Sequence, residues 1–343
     1  MNPASPFPIR AELARTHAHQ AQTLEMSRRL LGEQHPDTWT AMESLAATLR
    51  VQGDLGAARA LHERVWVRRR HALGAEHPQT LAAAWNVAET LRSEGRLARA
   101  RTLHERVLEA RRRVLGDADP ATVASMNSLA ATLYSTGDLA AAQWLQEAAL
   151  GQGQSDAADA ASLALRNNLA ETMRAQGDLA GARQLHEQVL AARRRSLGDS
   201  HPDTLTSVNN LAAVRYGQGD LEAARNLFEQ VLARREAMLG GEHPDTLTAV
   251  NNLAVTLYAM GDLPGARVLQ ERVAAGRRRV LGDEHADTLA ALANLAATVR
   301  EQGQFATARI IFEQVLAARR KVLGEAHPET IATIVALRGV AAR

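Results

Sequence analysis

The chain of 343 residues carries 40 Lys and Arg against 38 Asp and Glu, a formal charge of +2, with 46% hydrophobic and 23% charged residues. That is the composition of an ordered, water-soluble chain, and so small a charge excludes nucleic-acid binding driven by counterion release. The lack of cysteine excludes disulfides, thiolate metal sites and a cysteine nucleophile, and aromatics at 3% leave no base-stacking platform.

Residues 1–12 lack the apolar centre of a targeting signal and are expected to be disordered or extended. No apolar run approaches the ~20 residues of a membrane span, so a cytoplasmic protein without membrane contact is expected. From residue 13 onwards one period organises the chain. Leu-Gly pairs end at Gly32, Gly74, Gly116, Gly198, Gly240, Gly282 and Gly324. A second series, Gly53, Gly95, Gly137, Gly177, Gly219, Gly261 and Gly303, steps by 42 residues, except for 40 between Gly137 and Gly177. Seven units follow.

Each unit predicts two helices. In the stretch from His201 to Gly240, Leu205, Val208, Leu211, Ala212 and Val214 recur at helical spacing. Pro202 suits a first helical turn, and Asp203 complements the positive end of the helix dipole. After the turn at Gly219, Leu221, Ala224, Leu227, Phe228, Val231 and Leu232 share a face, and Gly240 suits a left-handed C-cap. A helix pair this small cannot bury its own apolar stripe, so neighbouring pairs must stack. The expected fold is all-α: a solenoid of about seven helix-turn-helix repeats with terminal capping helices.

The chain is expected to form one solenoid over 13–343, with halves 13–150 and 161–343 joined at an irregular junction, 151–160. There the arginine tail and the His-Pro signal are missing, and Gly151 and Gly153 predict an early helix end, packed as a degenerate turn or acting as a hinge. Residues 13–32 read as a second helix without a first, and Pro328–Arg343 as a first helix without a second. The latter is apolar for a cap, with Ile331, Ile334, Val335, Leu337 and Val340; plain capping is favoured, and a homo-oligomer built through the terminal helices is the alternative.

The pattern N-L-A-x-x-L/V-x-x-x-G-D-L-x-x-A-R-x-L-x-E-x-V-L resembles the tetratricopeptide repeat. The 42-residue period with its L-G-x-x-H-P-x-T link is similar to the kinesin light chain subfamily. The resemblance covers essentially the whole chain from Leu13. It implies a right-handed superhelix whose first helices line a concave groove that binds extended peptides. It also implies a site. The Asn before Leu-Ala, which in the family bonds the backbone of the bound peptide, is Asn86, Asn168, Asn210, Asn252 and Asn294, with Ser44 and Ser128 in the other two units. An amide offers donor and acceptor together and so suits a peptide bond; the alternative is that a recurrent Asn bonds the adjacent helix.

One residue earlier stand Glu43, Trp85, Asn127, Asn167, Asn209, Asn251 and Ala293, and further along come Arg50, Arg92, Tyr134, Arg174, Tyr216, Tyr258 and Arg300. Small residues between them, Ala47, Ala131, Ala213 and Ala297, leave room for a ligand. The arginines favour acidic side chains, while the stretch from Asn167 to Tyr258 is neutral and rich in amides.

Elsewhere the bland reading is favoured. Arginine clusters at 68–70, 111–113, 193–195 and 277–279 read as solvated helix ends, and His35, His77, His201, His243, His285 and His327 as caps or linkers. His62-Glu63, His104-Glu105 and His186-Glu187 are half of a zinc motif, with Trp66, Leu108 and Leu190 where the second ligand belongs. No catalytic residue, metal or cofactor is implied. The expected function is a non-enzymatic interaction module taking a protein or peptide partner in its groove, with no nucleic acid. Self-assembly is the alternative. An enzyme or small-ligand sensor is less favoured, since no spacing singles out Glu89, Glu171, Arg92, Arg174 or the tyrosines as a site.

Overall fold

The computed structural model describes residues 8–152 and 159–341, and every regular element among them is a helix. The described residues fall into two compact units, one ending at Leu185 and the other beginning at His186. The first holds α1 (Pro8–Leu31), α2 (Pro36–Gln52), α3 (Leu55–Leu73), α4 (Pro78–Ser93), α5 (Leu97–Leu115), α6 (Pro120–Ser135), α7 (Leu139–Gln152) and α8 (Ala160–Gln176). α9 (Leu179–Leu197) gives its first turns to that unit and the rest to the second. The second continues with α10 (Pro202–Gly217), α11 (Leu221–Leu239), α12 (Pro244–Ala259), α13 (Leu263–Leu281), α14 (Ala286–Glu301), α15 (Phe305–Leu323) and α16 (Pro328–Ala341). The fold is the all-α stack of helix pairs that the period requires. No helix among the described residues is long and apolar enough to cross a membrane.

The linkers set the helix boundaries. His35, His77, His201, His243 and His285 are N-caps, each accepting through Nδ1 the backbone N–H two residues on, and His327 does the same for Glu329. Four of these five caps are followed by Pro, whose fixed φ starts the helix and whose missing N–H costs nothing there. Asp54, Asp220 and Asp262 cap second helices, each accepting through a carboxylate oxygen the backbone N–H three residues on. Gly116 and Gly137, at φ of 87° and 82°, take backbone conformations that an L side chain would strain.

Packing then follows the chain. From α1 to α8, and again from α10 to α16, each helix rests on the next, and first helices of neighbouring repeats also touch, as in α4 with α6 and α14 with α16. Two alanine columns mark the closest approaches. Ala46, Ala88, Ala130, Ala170, Ala212, Ala254 and Ala296 on first helices, and Ala58, Ala100, Ala142, Ala182, Ala224, Ala266 and Ala308 on second helices, are all fully buried. Larger side chains there would push apart helices that pack ~8–10 Å from axis to axis.

Three local features differ from plain repetition. α1 begins at Pro8, inside the stretch 1–12 expected to be disordered or extended. α7 has 14 residues where the other second helices from α3 to α15 have 19; of the irregular junction expected at 151–160, as a degenerate turn or a hinge, residues 153–158 lie outside the described residues. At the ends, Thr16 and Thr23 stand exposed on α1 where α3 has the fully buried Ala58 and Val65, while α16 exposes Ile331 (50%) where α14 buries Leu289 (2%).

Candidate functional site

The 42-residue register puts the same two adjacent positions on one face of every first helix, and their side chains meet between repeats. In the first unit Asn168 donates its amide N–H to Asn127 Oδ1 at 3.0 Å, Trp85 Nε1 donates to Ser128 Oγ at 2.9 Å, and Asn86 Nδ2 reaches Glu43 Oε1 at 3.5 Å. In the second unit Asn252 donates to Asn209 Oδ1 at 2.8 Å. Thus at four junctions the earlier position of one repeat is tied to the later position of the next. Asn86, Asn127, Asn167, Asn168, Asn209, Asn210, Asn251 and Asn252 are half-buried, and Asn294 is exposed. A carboxamide has two N–H donors and an acceptor oxygen, so one inter-repeat bond leaves capacity for a ligand.

The arginines on this face are held by acids of their own helix. Arg92 donates to Glu89 Oε2 at 2.7 Å, Arg174 to Glu171 Oε2 at 2.9 Å, and Arg300 to Glu301 Oε1 at 2.7 Å. These pairs fix each guanidinium and offset its charge, so the face is less cationic than its arginine content suggests. Arg50 is exposed in the last turn of α2, and Tyr134 is 36% exposed. Tyr216 packs on the core around Ala212, Phe228 and Leu253, and Tyr258 is half-buried.

One cleft gathers several of these groups. It measures about 390 Å³ and lies over α4, α6, α7 and α8. Arg92, Tyr134 and Asn168 converge on it, Ala131 leaves it open, and Glu171 lines its far side. Gln146 forms its floor; that side chain is 2% exposed and its Oε1 has no hydrogen-bond partner among the described residues. Arg50, Asn86, Asn127 and Asn167 stand outside the cleft. A cation, a phenol, a carboxylate and two carboxamides thus place hydrogen-bond donors and acceptors around one space.

Sequence reading missed two columns. His62, His104 and His186 share a buried position with Gln146, Phe228, Gln270 and Phe312. Burial pushes both His62 and His104 down to about 4, with Arg50 adding to the effect at His62. His62 Nδ1 lies 2.9 Å from Thr90 Oγ1, and His104 Nε2 lies 3.4 Å from Glu89 Oε1. The arginine clusters also need correction as wholly solvated ends, because one member of each turns inward. Arg111 (6% exposed) donates to the carbonyl of Ala121 at 2.8 Å and to Ser125 Oγ at 2.7 Å, and Arg193 and Arg319 repeat this geometry. Burial lowers the Arg111 guanidinium from its ordinary value, against the pull of Asp119.

A family model described as tetratricopeptide repeat matches residues 79–151, 160–237 and 245–321, and two others of the same description match 10–37, 38–79 and 209–280. The chain belongs to the tetratricopeptide repeat family. Among solved structures it is similar to a putative kinesin light chain of Podosopora anserina with nearly identical TPR-like repeats, at 29% identity and a TM-score of 0.53, covering 60% of this chain and 99% of that one. It is also similar to BtubC (BKLC) of P. vanneervenii, at 24% identity and a TM-score of 0.57 over 68% of this chain and 94% of that one. The quorum sensor NprR of B. thuringiensis shares the fold at 13% identity, with a TM-score of 0.69 over 90% of this chain and 84% of that one. No curated protein matches the chain. This tetratricopeptide fold is consistent with a protein–protein interaction module.

Proposed function

We propose that the chain is a non-enzymatic interaction module that binds an extended peptide segment of a partner along the face of its first helices. The observation that carries this reading is the cleft shared by Arg92, Tyr134 and Asn168, with the unpartnered Gln146 oxygen in its floor. Its groups suit a peptide backbone, which presents donors and acceptors alternately whatever its side chains. Asn127 holds the Asn168 amide in place for this task, and Asn209 does the same for Asn252, so in this reading the inter-repeat bond pre-orients the binding group. Arg92 and Arg174, each anchored by a carboxylate, orient polar groups of the ligand more than they attract an acidic one. Arg50, Asn86 and Asn167 extend this face within the first unit, and Asn210, Tyr216, Asn251, Tyr258, Asn294 and Arg300 hold the corresponding positions on the first helices of the second.

The test begins by panning a random dodecapeptide library on the full chain and measuring the enriched peptide by fluorescence anisotropy. Arg92→Ala combined with Asn168→Ala is expected to weaken binding at least tenfold while the helical circular dichroism is unchanged. A library that yields no binder, or affinity unchanged by the double substitution, refutes the reading.

A further inference from the structure

The second helices frame a cleft of their own. Between α3 and α5, above α4, it encloses about 370 Å³. Its floor is apolar: Val87 and Leu91 are 2% and 3% exposed, and Trp66 and Leu103 pack beside them. Its rim is cationic. Arg99 and Arg106 are exposed, and neither makes a side-chain hydrogen bond or ion pair with any described residue. That sets them apart from their neighbours, since Arg101 is bound to Glu105 at 2.9 Å and Arg59 to both Glu63 and Glu94. Among the described residues Glu63 is the one acid in the lining, and Arg59 already offsets its charge.

The two free arginines are seven residues apart on α5, two turns along one face, hence ~10 Å apart along the axis. A polyproline-II chain has three residues per turn and advances ~3.1 Å per residue, so acids three positions apart lie on one side and match that span. Exposed ion pairs contribute little alone, whereas an apolar side chain seated on Trp66 and Leu103 is removed from water and keeps the charges in register. We propose that this cleft is a second docking site, independent of the first-helix face, for an acidic peptide segment. The segment seats one bulky apolar side chain on the Trp66–Leu103 floor and sets carboxylates against Arg99 and Arg106.

The test uses the full chain and fluorescence anisotropy. The probe is a fluorescein-labelled decapeptide carrying a Phe-Leu pair between two Glu pairs. It is compared with the same peptide with Lys for each Glu, and with one having Ser-Ser for Phe-Leu. The acidic apolar peptide is expected to bind at least tenfold more tightly than either control, and less tightly as salt rises. Arg99→Glu with Arg106→Glu should weaken it at least tenfold, and Arg99→Gln with Arg106→Gln is the milder form of that variant. Thr102→Trp should do the same by covering the cleft; the next repeat already carries Trp144, 62% exposed, at the matching place on α7, so the helix accepts the residue. Arg92→Ala with Asn168→Ala should leave this affinity within twofold. The proposal is overturned if the acidic peptide does not bind, if Thr102→Trp and both arginine pairs leave binding intact, or if only the Arg92 and Asn168 variant abolishes it.

Discussion

Asn252 donates its side-chain amide to Asn209 Oδ1 at 2.8 Å, joining α12 to α10. Such a bond contributes about 1 kcal/mol net. Asn252→Ala is therefore expected to lower the urea midpoint modestly. Once Asn209 is already Ala, the same change should cost less, with a coupling energy of about 0.5–1.5 kcal/mol in a double-mutant cycle. Strict additivity of the two substitutions would show that the bond contributes nothing to the stack.

Arg111 links α5 to α6 through one carbonyl and one hydroxyl. Hydrogen bonds to a charged donor are worth ~1.5–3 kcal/mol. Arg111→Ala should destabilise the chain by at least that much, by thermal or chemical melting. Arg113, exposed and paired only with carboxylates at the surface, should tolerate Ala within about 0.5 kcal/mol. Equal effects at 111 and 113 would return the cluster to a solvated helix end.

His62 and His104 are buried neutral, with pKa values lowered from 6.5 to about 4. A base depressed on folding stabilises the fold fully above its unfolded pKa, and that contribution is lost as pH falls from about 6.5 towards 4. At about 1.4 kcal/mol per pH unit each imidazole accounts for on the order of 3 kcal/mol. His104→Phe, the residue found at this column in Phe228 and Phe312, should flatten the loss of stability between pH 6.5 and 4. A pH profile parallel to that of the unsubstituted chain would contradict it.

His285 caps α14 by accepting the Asp287 N–H at 3.2 Å. His285→Ala should cost about 0.5–2 kcal/mol, and His285→Ser should recover most of it, since a hydroxyl serves the same N–H. Identical melting of the two variants would remove the capping role.

The repeats, helix boundaries and histidine caps were legible because each is a local matter: a 42-residue period, a Pro at a first turn, a Gly at positive φ. What escaped depends on which neighbour a side chain meets. Spacing placed Asn127 and Asn168 on one face, but only packing reveals that they bond to each other. In the same way Arg111, Arg112 and Arg113 read alike in a row, while the helix turns only Arg111 inward. The buried histidines did leave a signal: aligned by repeat, their column reads His62, His104, Gln146, His186, Phe228, Gln270, Phe312, and phenylalanine at two rows points to the core. Arg92, Tyr134 and Asn168 were all named from sequence; the Gln146 floor, on a second helix, was not.

The peptide-binding claim is tested most directly by photo-cross-linking. With benzoylphenylalanine at position 134, over the cleft of Arg92 and Asn168, the panned peptide should become covalently attached, and excess unlabelled peptide should suppress the product. With the same group at position 144, on the second-helix face, it should not. Cross-linking at 144 alone, or at neither position despite measured binding, would place the ligand elsewhere and contradict the role given to the first helices.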